Sequence, residues 1–396
     1  MECAETRALF PALNEFVYVD MAARNPLCKR VRDAVEAYLD DRERAEDNKS
    51  LWFDKVEEVR GKVATLISAN PAEIAFMKNT SHGLNAVLAA MDWREGDNVV
   101  IAPDFEHPNN VYAWLNLRRL GVEVRVARLE GPVVTRRLLE GLTGPRTRAI
   151  GLASVSFATG GKADLEDICS LARDSGARVI VDAVQSLGVM DFDVSRVRID
   201  AAAAATSKAL LGLYGLGVLY CRRELADSLH PSYLARFSVD LGDAHEEVLG
   251  DLSYSLAAGA RRFDIGNYNY LAIFALDAAL DLILEVGVKN IEEHVTSLSA
   301  ALTRGIRDLG YVLRSADGGP GLSHIVLFVT PDGYPPVPKI SAYLSSRKIR
   351  HTVRRGALRM SFHMYNNMSD VEYILAALKG ARSLAHLLPD PLPRHT

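Results

Sequence analysis

The chain has 396 residues, of which 48% are hydrophobic and 24% charged, the balance of an ordinary globular protein with enough material for two or three domains. A formal net charge of -4 gives no electrostatic reason to expect nucleic acid or an anionic membrane as a partner. No apolar stretch approaches the roughly 18–20 residues that span a bilayer, and no secretory signal is visible, so we expect a cytoplasmic protein. The four cysteines lack the spacing of a zinc site or a disulfide framework, and we expect no bound metal.

Short β-branched runs alternate with helical patterns through the first two thirds of the chain. A polar turn at 78–80 is followed by a helical pattern from about residue 81 to 90, and a second helix is predicted between an N-cap at Asp164 and Gly176. The alternation predicts a largely parallel sheet covered by helices on both faces. The predicted strands are 99–102, 122–126, 149–153, 179–182 and 217–220.

The last third of the chain has a different pattern. Amphipathic helices are predicted at 270–284 and 291–309, separated by Gly287, followed by a strand at 323–329, a helix near residue 340, a strand at 357–362 and a final helix from residue 370. This order predicts an α+β unit with an antiparallel sheet. We therefore predict a large domain at 16–268, a smaller domain formed by 1–15 and 269–390, and a frayed tail at 391–396.

Lys208 lies just after a run of five alanines and 26 residues after Asp182, which closes an apolar strand. A lysine among small apolar residues loses hydration, which lowers the pKa of its amine and makes it a nucleophile towards aldehydes. An aspartate at the carboxyl end of a parallel strand stands where α/β sheets bind ligands. Together they predict an imine between Lys208 and pyridoxal phosphate (PLP), with Asp182 paired to the protonated pyridine nitrogen. Taken alone, a Ser-Lys pair in a loop is more typical of a solvated surface lysine.

Three ordered motifs resemble the class V aminotransferase family, within the PLP-dependent, cysteine desulfurase-like superfamily: Asp182-Ala-Val-Gln185, Ser207-Lys208 and Gly212-Leu-Tyr-Gly215-Leu-Gly217. The resemblance implies PLP fold type I, an α/β fold with a mostly parallel seven-stranded sheet in the large domain and a smaller α+β C-terminal domain. It also implies PLP as the cofactor and a homodimer whose active site is shared between subunits. The pattern fits the isopenicillin N epimerase-like and C–S lyase branch, which includes lincosamide-type tailoring enzymes of secondary metabolism.

The resemblance also implies a role for each cofactor-binding residue. Thr80, Ser81 and the amide of His82 would hold the phosphate at the start of a helix, although this turn alone is typical of an ordinary N-cap. His107, in a segment similar to Glu-His-x-x-Asn, would stack on the pyridine ring. The other implied contacts are Gln185 at the phenolic oxygen, Ser207 at the phosphate, and Asn267 at the phosphate of the neighbouring subunit.

Substrate binding is implied by the segment from Arg359 to Asn367, which resembles the family motif Arg-x-Ser-x-x-x-Tyr-Asn. Arg359 would bind the α-carboxylate of an amino-acid substrate through a bidentate fork, with Arg354 and Arg355 as alternative candidates. Arg24 and Asn25 are expected at the mouth of the site, and Phe157 stands where desulfurases often have asparagine.

The cysteine pattern predicts that the protein is not a cysteine desulfurase. Those enzymes carry a cysteine on a mobile loop before the carboxylate-binding arginine, whereas no cysteine follows Cys221 here. The sequence instead favours a C–S lyase, in which an external aldimine forms, Lys208 removes the Cα proton and a β-thiolate leaves an S-substituted cysteine. Epimerisation, transamination or decarboxylating oxidative deamination is the alternative. A non-catalytic binding protein on the same fold is a third hypothesis. The presence of the whole set of expected cofactor residues argues against it: His107, Asp182, Gln185 and Lys208.

Overall fold

The structure is a computed structural model that describes residues 1–46, 48–240, 242 and 253–382. The predicted tail at 391–396 and the end of the predicted small domain, 383–390, lie outside the described residues. Within the described part, the helices are α1 (Cys3–Thr6), α2 (Lys29–Glu43), α3 (Lys49–Leu66), α4 (Thr80–Ala90), α5 (Pro108–Leu115), α6 (Arg136–Glu140), α7 (Leu165–Ser175), α8 (Arg223–Ser228), α9 (Tyr270–Val286), α10 (Val288–Asp308), α11 (Val337–Ser346) and α12 (Met368–Arg382).

The strands form one large sheet and two small ones. The large sheet has seven strands in the order β2-β8-β7-β6-β5-β3-β4, and all are parallel except β8, which runs antiparallel to both neighbours. The strands are β1 (Val17–Tyr18), β2 (Ile74–Met77), β3 (Asn98–Ile101), β4 (Glu123–Val126), β5 (Thr147–Ala153), β6 (Arg178–Asp182), β7 (Ala201–Ala205), β8 (Gly217–Cys221), β9 (Val312–Leu313), β10 (Ile325–Val329), β11 (Ile349–Arg350), β12 (Thr352–Arg354) and β13 (Ala357–Ser361). The mostly parallel seven-stranded sheet expected from the sequence is confirmed.

Local sequence signals explain where the helices begin and end. The Asp164 side chain accepts a hydrogen bond from the Asp167 amide at 3.1 Å, and Gly176 ends α7 in the left-handed conformation, as predicted. Gly287, with a φ of +84°, separates α9 from α10. These glycines allow the chain to reverse without the steric penalty that a Cβ would bring at positive φ.

Strand β7 was not predicted, because its five residues are all alanine, a residue that favours helices. It nevertheless lies at the middle of the large sheet, between β6 and β8. Its small side chains let α4 approach the sheet closely: a Cβ added at Gly83 would lie 2.9 Å from the Ala203 Cβ. This approach places the N-terminus of α4 beside the carboxyl ends of the parallel strands.

The C-terminal part forms a four-stranded antiparallel sheet in the order β12-β13-β10-β9, as expected for an α+β unit. The N-terminal segment joins it, since β1 pairs with β11 and Asp20 pairs with Ser361. The predicted domain boundaries at 16 and 268 stay predictions. Across the described helices, none combines the length and the apolar character that crossing a membrane requires.

Candidate active site

A cleft opens where β5, β6 and β7 end and where α4 and α5 begin. In an open α/β sheet, the carboxyl edge is the place where loops and helix N-termini converge on ligands. The structure brings eight of the sequence-predicted site residues to the wall of this cleft. They are Thr80, Ser81, His107, Phe157, Asp182, Gln185, Ser207 and Lys208.

Lys208 lies in the turn that follows β7 and is only partly exposed. Burial lowers the pKa of its amine; the charge of Asp182 opposes this shift, whereas Arg359 and Arg354 add to it. A larger fraction of the amine is therefore neutral at physiological pH than in water. The neutral amine is the form that attacks an aldehyde, which is the property inferred from the alanine-rich surroundings.

Asp182 ends β6 and is held by two donors. The Val184 amide donates to its Oδ1 at 2.8 Å, and the Asn110 side-chain amide donates to its Oδ2. Burial raises the pKa of Asp182, with the Val184 bond, Lys208 and Asn110 opposing this effect. A cation placed against this carboxylate would be strongly favoured, because the carboxylate has lost most of its water.

The sequence analysis assigned no role to Glu106 or Asn110, although both belong to the same Glu-His-x-x-Asn segment as His107. Glu106 is 2% exposed, and its carboxyl accepts from the Ala153 amide and lies 3.5 Å from the Asn110 side-chain nitrogen. Burial, and then the charge of Asp182, raises the pKa of Glu106 to about 8, so this carboxyl is mostly protonated at neutral pH. The Asn110 amide thus lies between two carboxyl groups and fixes the orientation of Asp182.

The N-terminus of α4 forms one wall of the cleft. The Asn79 side chain caps this helix by accepting from the His82 amide at 2.9 Å, which leaves Thr80 and Ser81 facing the cleft. The His82 ring forms a hydrogen bond with the Tyr233 hydroxyl at 2.8 Å, and His82 is not part of the cleft wall. Ser207 also lines the cleft, so hydroxyl groups and a helix N-terminus meet where an anion would bind.

His107 is the N-cap of α5, and its ring lies 4.8 Å from the Phe157 ring, centre to centre. Its Nδ1 accepts from the Asn109 amide at 3.3 Å. Burial and the charges of Lys208, Arg354 and Arg359 lower the pKa of His107, which favours the neutral ring. A neutral aromatic ring suits stacking on a flat ligand, and the stacking of His107 on the cofactor ring stays a prediction.

Gln185 carries an unpaired acceptor. Its Nε2 donates to the Ala22 carbonyl at 2.9 Å, whereas its buried Oε1 has no partner among the described residues. A buried polar atom without a partner costs free energy, so a ligand that donated to it would be stabilised. The predicted contact of Gln185 with the cofactor's phenolic oxygen stays a prediction.

Arg359 lies on β13 and is 1% exposed. Its Nη1 donates to the Phe157 carbonyl and its Nε to the Thr352 hydroxyl, each at 3.2 Å, and its Nη2 lies 3.6 Å from the Asp20 carboxylate. Burial lowers the pKa of Arg359 to about 10, and that Nη2 has no hydrogen bond within the described part of the chain. Arg359 is not part of the cleft wall, and its Nη2 faces the Asp20 carboxylate, so its predicted role in binding a substrate carboxylate stays a prediction.

The other predicted residues lie outside the cleft wall. Arg24 is exposed, its carbonyl accepts from the Tyr18 hydroxyl at 2.9 Å, and Asn25 follows it on the same surface segment. Asn267 is exposed just before α9. Eight residues that the sequence analysis did not assign to the site complete the wall: Asn79, Asn109, Asn110, Ala153, Val155, Val184, Ala205 and Tyr214. Asp20 is a further miss, because 339 residues separate it from Arg359 in the chain.

The sequence profile of the aminotransferase class-V family matches residues 17–374. The chain belongs to this family. A probable cysteine desulfurase of Methanothermobacter thermautotrophicus is 33% identical over 309 residues, which cover 76% of this chain and 75% of that protein. An uncharacterized aminotransferase of Schizosaccharomyces pombe is 28% identical and covers 91% of both chains.

Solved structures agree with the family assignment. The apo cysteine desulfurase of Thermococcus onnurineus superposes with a TM-score of 0.85 at 26% identity, covering 96% of this chain and 98% of that one. A C-DES mutant, solved with glycine covalently linked to the PLP cofactor, gives a TM-score of 0.85 at 23% identity and covers 94% and 98%. The fold is that of PLP fold type I enzymes, and the chain is a PLP-dependent enzyme. A non-catalytic binding protein is thereby ruled out.

The cleft residues fit PLP. The hydroxyl groups at the start of α4 suit its phosphate, the buried Asp182 carboxylate suits a protonated pyridine nitrogen, and the amine of Lys208 suits its aldehyde. When bound, PLP supplies an electron sink for bonds at the substrate Cα. The protein supplies the orientation and the charges around it.

The prediction that the protein is not a cysteine desulfurase is wrong. The relative with 33% identity is a probable cysteine desulfurase, and the superposed Thermococcus structure is also that of a cysteine desulfurase. The missing cysteine is a true feature of this chain, but one absent nucleophile does not outweigh similarity to that class in sequence and in fold. The preference for a C–S lyase, which depended on that exclusion, falls with it.

Proposed function

We propose that this protein removes the sulfur of cysteine and leaves alanine, with Arg359 holding the α-carboxylate and Lys208 moving protons at the Cα. The proposal depends on one observation above all: cysteine desulfurases are similar to this chain in sequence and in fold over most of its length. The carboxylate role of Arg359 is supported by its position, because this buried guanidinium donates to the carbonyl of the cleft-wall residue Phe157 at 3.2 Å.

The sulfur acceptor must be a thiol from outside the chain. Cys28, Cys169 and Cys221 are at most 5% exposed, and burial raises the pKa of each thiol. Cys3 is half-buried near the N-terminus, and burial raises the pKa of its thiol as well. Because the thiolate is the form that attacks sulfur, none of the four suits this role. With a diffusible thiol RSH, the balance is cysteine plus RSH giving alanine plus the persulfide RSSH.

The experiment is incubation of the PLP-loaded enzyme with L-cysteine and an excess of dithiothreitol, followed by measurement of alanine and of released sulfide. Equal amounts of alanine and sulfide, both dependent on enzyme, support the proposal. Lys208→Ala should abolish both products. Absence of sulfide, or pyruvate in place of alanine, would reject it.

Three finer interpretations also belong here as proposals. A homodimer with a shared active site is supported by the exposure of Asn267, which leaves its side chain free to reach a neighbouring subunit. Cytoplasmic location stays a prediction from the sequence. Membership of the epimerase-like branch, with a role in lincosamide-type secondary metabolism, also stays a prediction, and the relatives described above carry no such name.

A further inference from the structure

The turn that carries Lys208 is strained and is held by contacts on both sides. The Lys208 carbonyl accepts from the Leu211 amide at 2.9 Å, and the fully buried Leu211 adopts a φ of +57°. This left-handed conformation is unfavourable for a residue with a Cβ and persists only where the surrounding structure enforces it. Before Lys208, the chain is fixed by Thr206, whose carbonyl accepts from the Gly212 amide at 2.8 Å and whose amide donates to the Leu216 carbonyl at 3.1 Å.

After Lys208, the chain is fixed by His363, which lies two residues beyond the end of β13. Its Nε2 donates to the Ala209 carbonyl at 2.9 Å, and both residues are fully buried. The Met364 amide donates to the Nδ1 of the same ring at 2.8 Å, so Nε2 is the nitrogen that carries the proton. Burial lowers the pKa of His363 to about 4, which keeps the ring neutral at physiological pH. The Gly188 backbone packs against the same carbonyl, since a Cβ added there would lie 2.6 Å from the Ala209 oxygen.

The His363 ring is itself held in one orientation. It stacks on the Tyr365 ring, with 5.6 Å between the ring centres and 11° between the planes. The His363 amide donates to the Asn366 side-chain oxygen at 3.0 Å. The Asn366 side-chain nitrogen in turn donates to the Tyr18 carbonyl at 2.9 Å and to the Asp370 carboxylate at 3.1 Å. The donor is therefore fixed by β1 and α12, independently of the turn that it supports.

We propose that His363 is a positioning residue for Lys208: by holding the Ala209 carbonyl, it keeps the amine of Lys208 directed into the cleft. The lysine side chain is a flexible four-carbon stem, so a fixed backbone limits the places that the amine can reach. Release of the Ala209 carbonyl would let Leu211 leave its strained conformation, and the backbone of Lys208 would move with it. This role concerns the amine and the cofactor aldehyde, and it does not depend on which substrate bond is broken afterwards.

The test compares His363→Asn with His363→Gln. The shorter asparagine can still accept from the Met364 amide but cannot reach Ala209, whereas glutamine places a donor nitrogen near the position of Nε2. Two properties are measured on each folded apo-protein. The first is the pH midpoint for chemical labelling of the Lys208 amine, followed on its peptide by mass spectrometry. The second is the rate at which the visible absorption band of the Lys208 imine forms after mixing with PLP.

The matched control is His351→Asn. His351 belongs to the same C-terminal sheet region, and its ring bonds the Ser341 hydroxyl at 2.9 Å and the Ile349 carbonyl at 3.0 Å instead of the lysine turn. In His363→Asn we expect the labelling midpoint to rise towards the ordinary lysine pKa of 10.5, because the amine gains access to water. We expect PLP capture to slow by about tenfold, the scale of one lost hydrogen bond. His363→Gln should restore most of both properties, and His351→Asn should change neither.

Two results would overturn the proposal. The first is a His363→Asn protein that unfolds cooperatively in urea and has an unchanged labelling midpoint and an unchanged rate of PLP capture. The second is an equal change of both properties in His351→Asn, which would indicate general loosening of the C-terminal unit. If His363→Asn does not fold, His363→Met takes its place, because methionine fills the space of the ring without a donor. Failure of the proposed function is distinguishable, since neither measurement uses cysteine.

Discussion

Gly83 provides a sharp test of how the fold positions α4, the helix predicted to bind the cofactor phosphate. In Gly83→Ala, the added Cβ would lie 2.9 Å from the Ala203 Cβ, whereas ordinary contacts are 3.4–4 Å. Helix α4 must therefore move by about 0.5 to 1 Å away from β7. Overpacking of this kind costs about 1–3 kcal/mol, and replacing glycine by alanine in a helix returns about 1 kcal/mol. We expect a net loss of about 0–2 kcal/mol in the free energy of unfolding.

Gly61 in α3 is the matched control, because a Cβ added there meets nothing within 4 Å. Gly61→Ala should stabilise the protein by up to about 1 kcal/mol through helix propensity alone. The difference between the two variants isolates the overpacking cost, about 1–3 kcal/mol. It is measured by urea unfolding of the apo-proteins under the same conditions.

The same displacement should reach the cofactor. Thr80 and Ser81 stand at the start of α4 and are the residues predicted to bind the phosphate, so a shift of the helix should weaken PLP binding by about tenfold in Gly83→Ala. Gly61→Ala should bind PLP normally. Adding Ala203→Gly to Gly83→Ala removes the clash and should restore affinity, a non-additive effect. Equal stability and equal PLP affinity for Gly83→Ala and Gly61→Ala would refute the reasoning.

Three other changes test the charges in and near the site. The folded-state pKa of Glu106 is about 8 against an ordinary 4.5, so the folded protein binds more protons than the unfolded chain between these values and loses stability as pH rises from 4.5 to 8. Glu106→Gln should flatten this loss, which is measured by urea unfolding of the apo-protein across that pH range. Parallel stability curves for the two proteins would contradict the expectation. Asp264→Asn should cost about 3–5 kcal/mol of unfolding free energy, because Asp264 accepts from Arg60 at 2.9 Å in a fully buried pair, whereas Asp92→Asn in an exposed pair should change it by less than about 1 kcal/mol. Asp182→Asn should lower the pKa of Lys208 further, since Asp182 now raises it, and a labelling midpoint of the apo-protein amine that stays in place or rises would be evidence against this.

Much of the site could be predicted because its chemistry lies in short segments. Asp182 ends β6, His107 and Lys208 lie in the segments after β3 and β7, and parallel strands bring their carboxyl ends to one edge. The start of α4 was predicted for the same reason, since an N-cap is encoded within four residues. These residues needed no knowledge of distant contacts.

The remainder depends on contacts between distant parts of the chain. The alanines of β7 favour a helix locally, and only burial between β6 and β8 makes them a strand. Asp20 meets Arg359 because the N-terminal segment adds to the C-terminal sheet, a pairing that no local pattern encodes. Glu106 is an ordinary acidic residue in sequence, and its raised pKa comes from burial beside Asp182.

The hairpin between β12 and β13 explains why the missing cysteine misled the sequence analysis. A mobile loop can carry a thiolate to the substrate sulfur and away again, whereas a two-residue turn fixed by Arg355 cannot. The turn holds arginine and glycine where a mobile loop would carry a thiol. A fixed cation can stabilise sulfur that leaves as an anion, but it cannot accept that sulfur covalently. The rate of the proposed reaction must therefore rise with the concentration of thiol in solution. A rate independent of added thiol would contradict this, because it would require one of the chain's own cysteines to accept the sulfur, and all four are buried or half-buried.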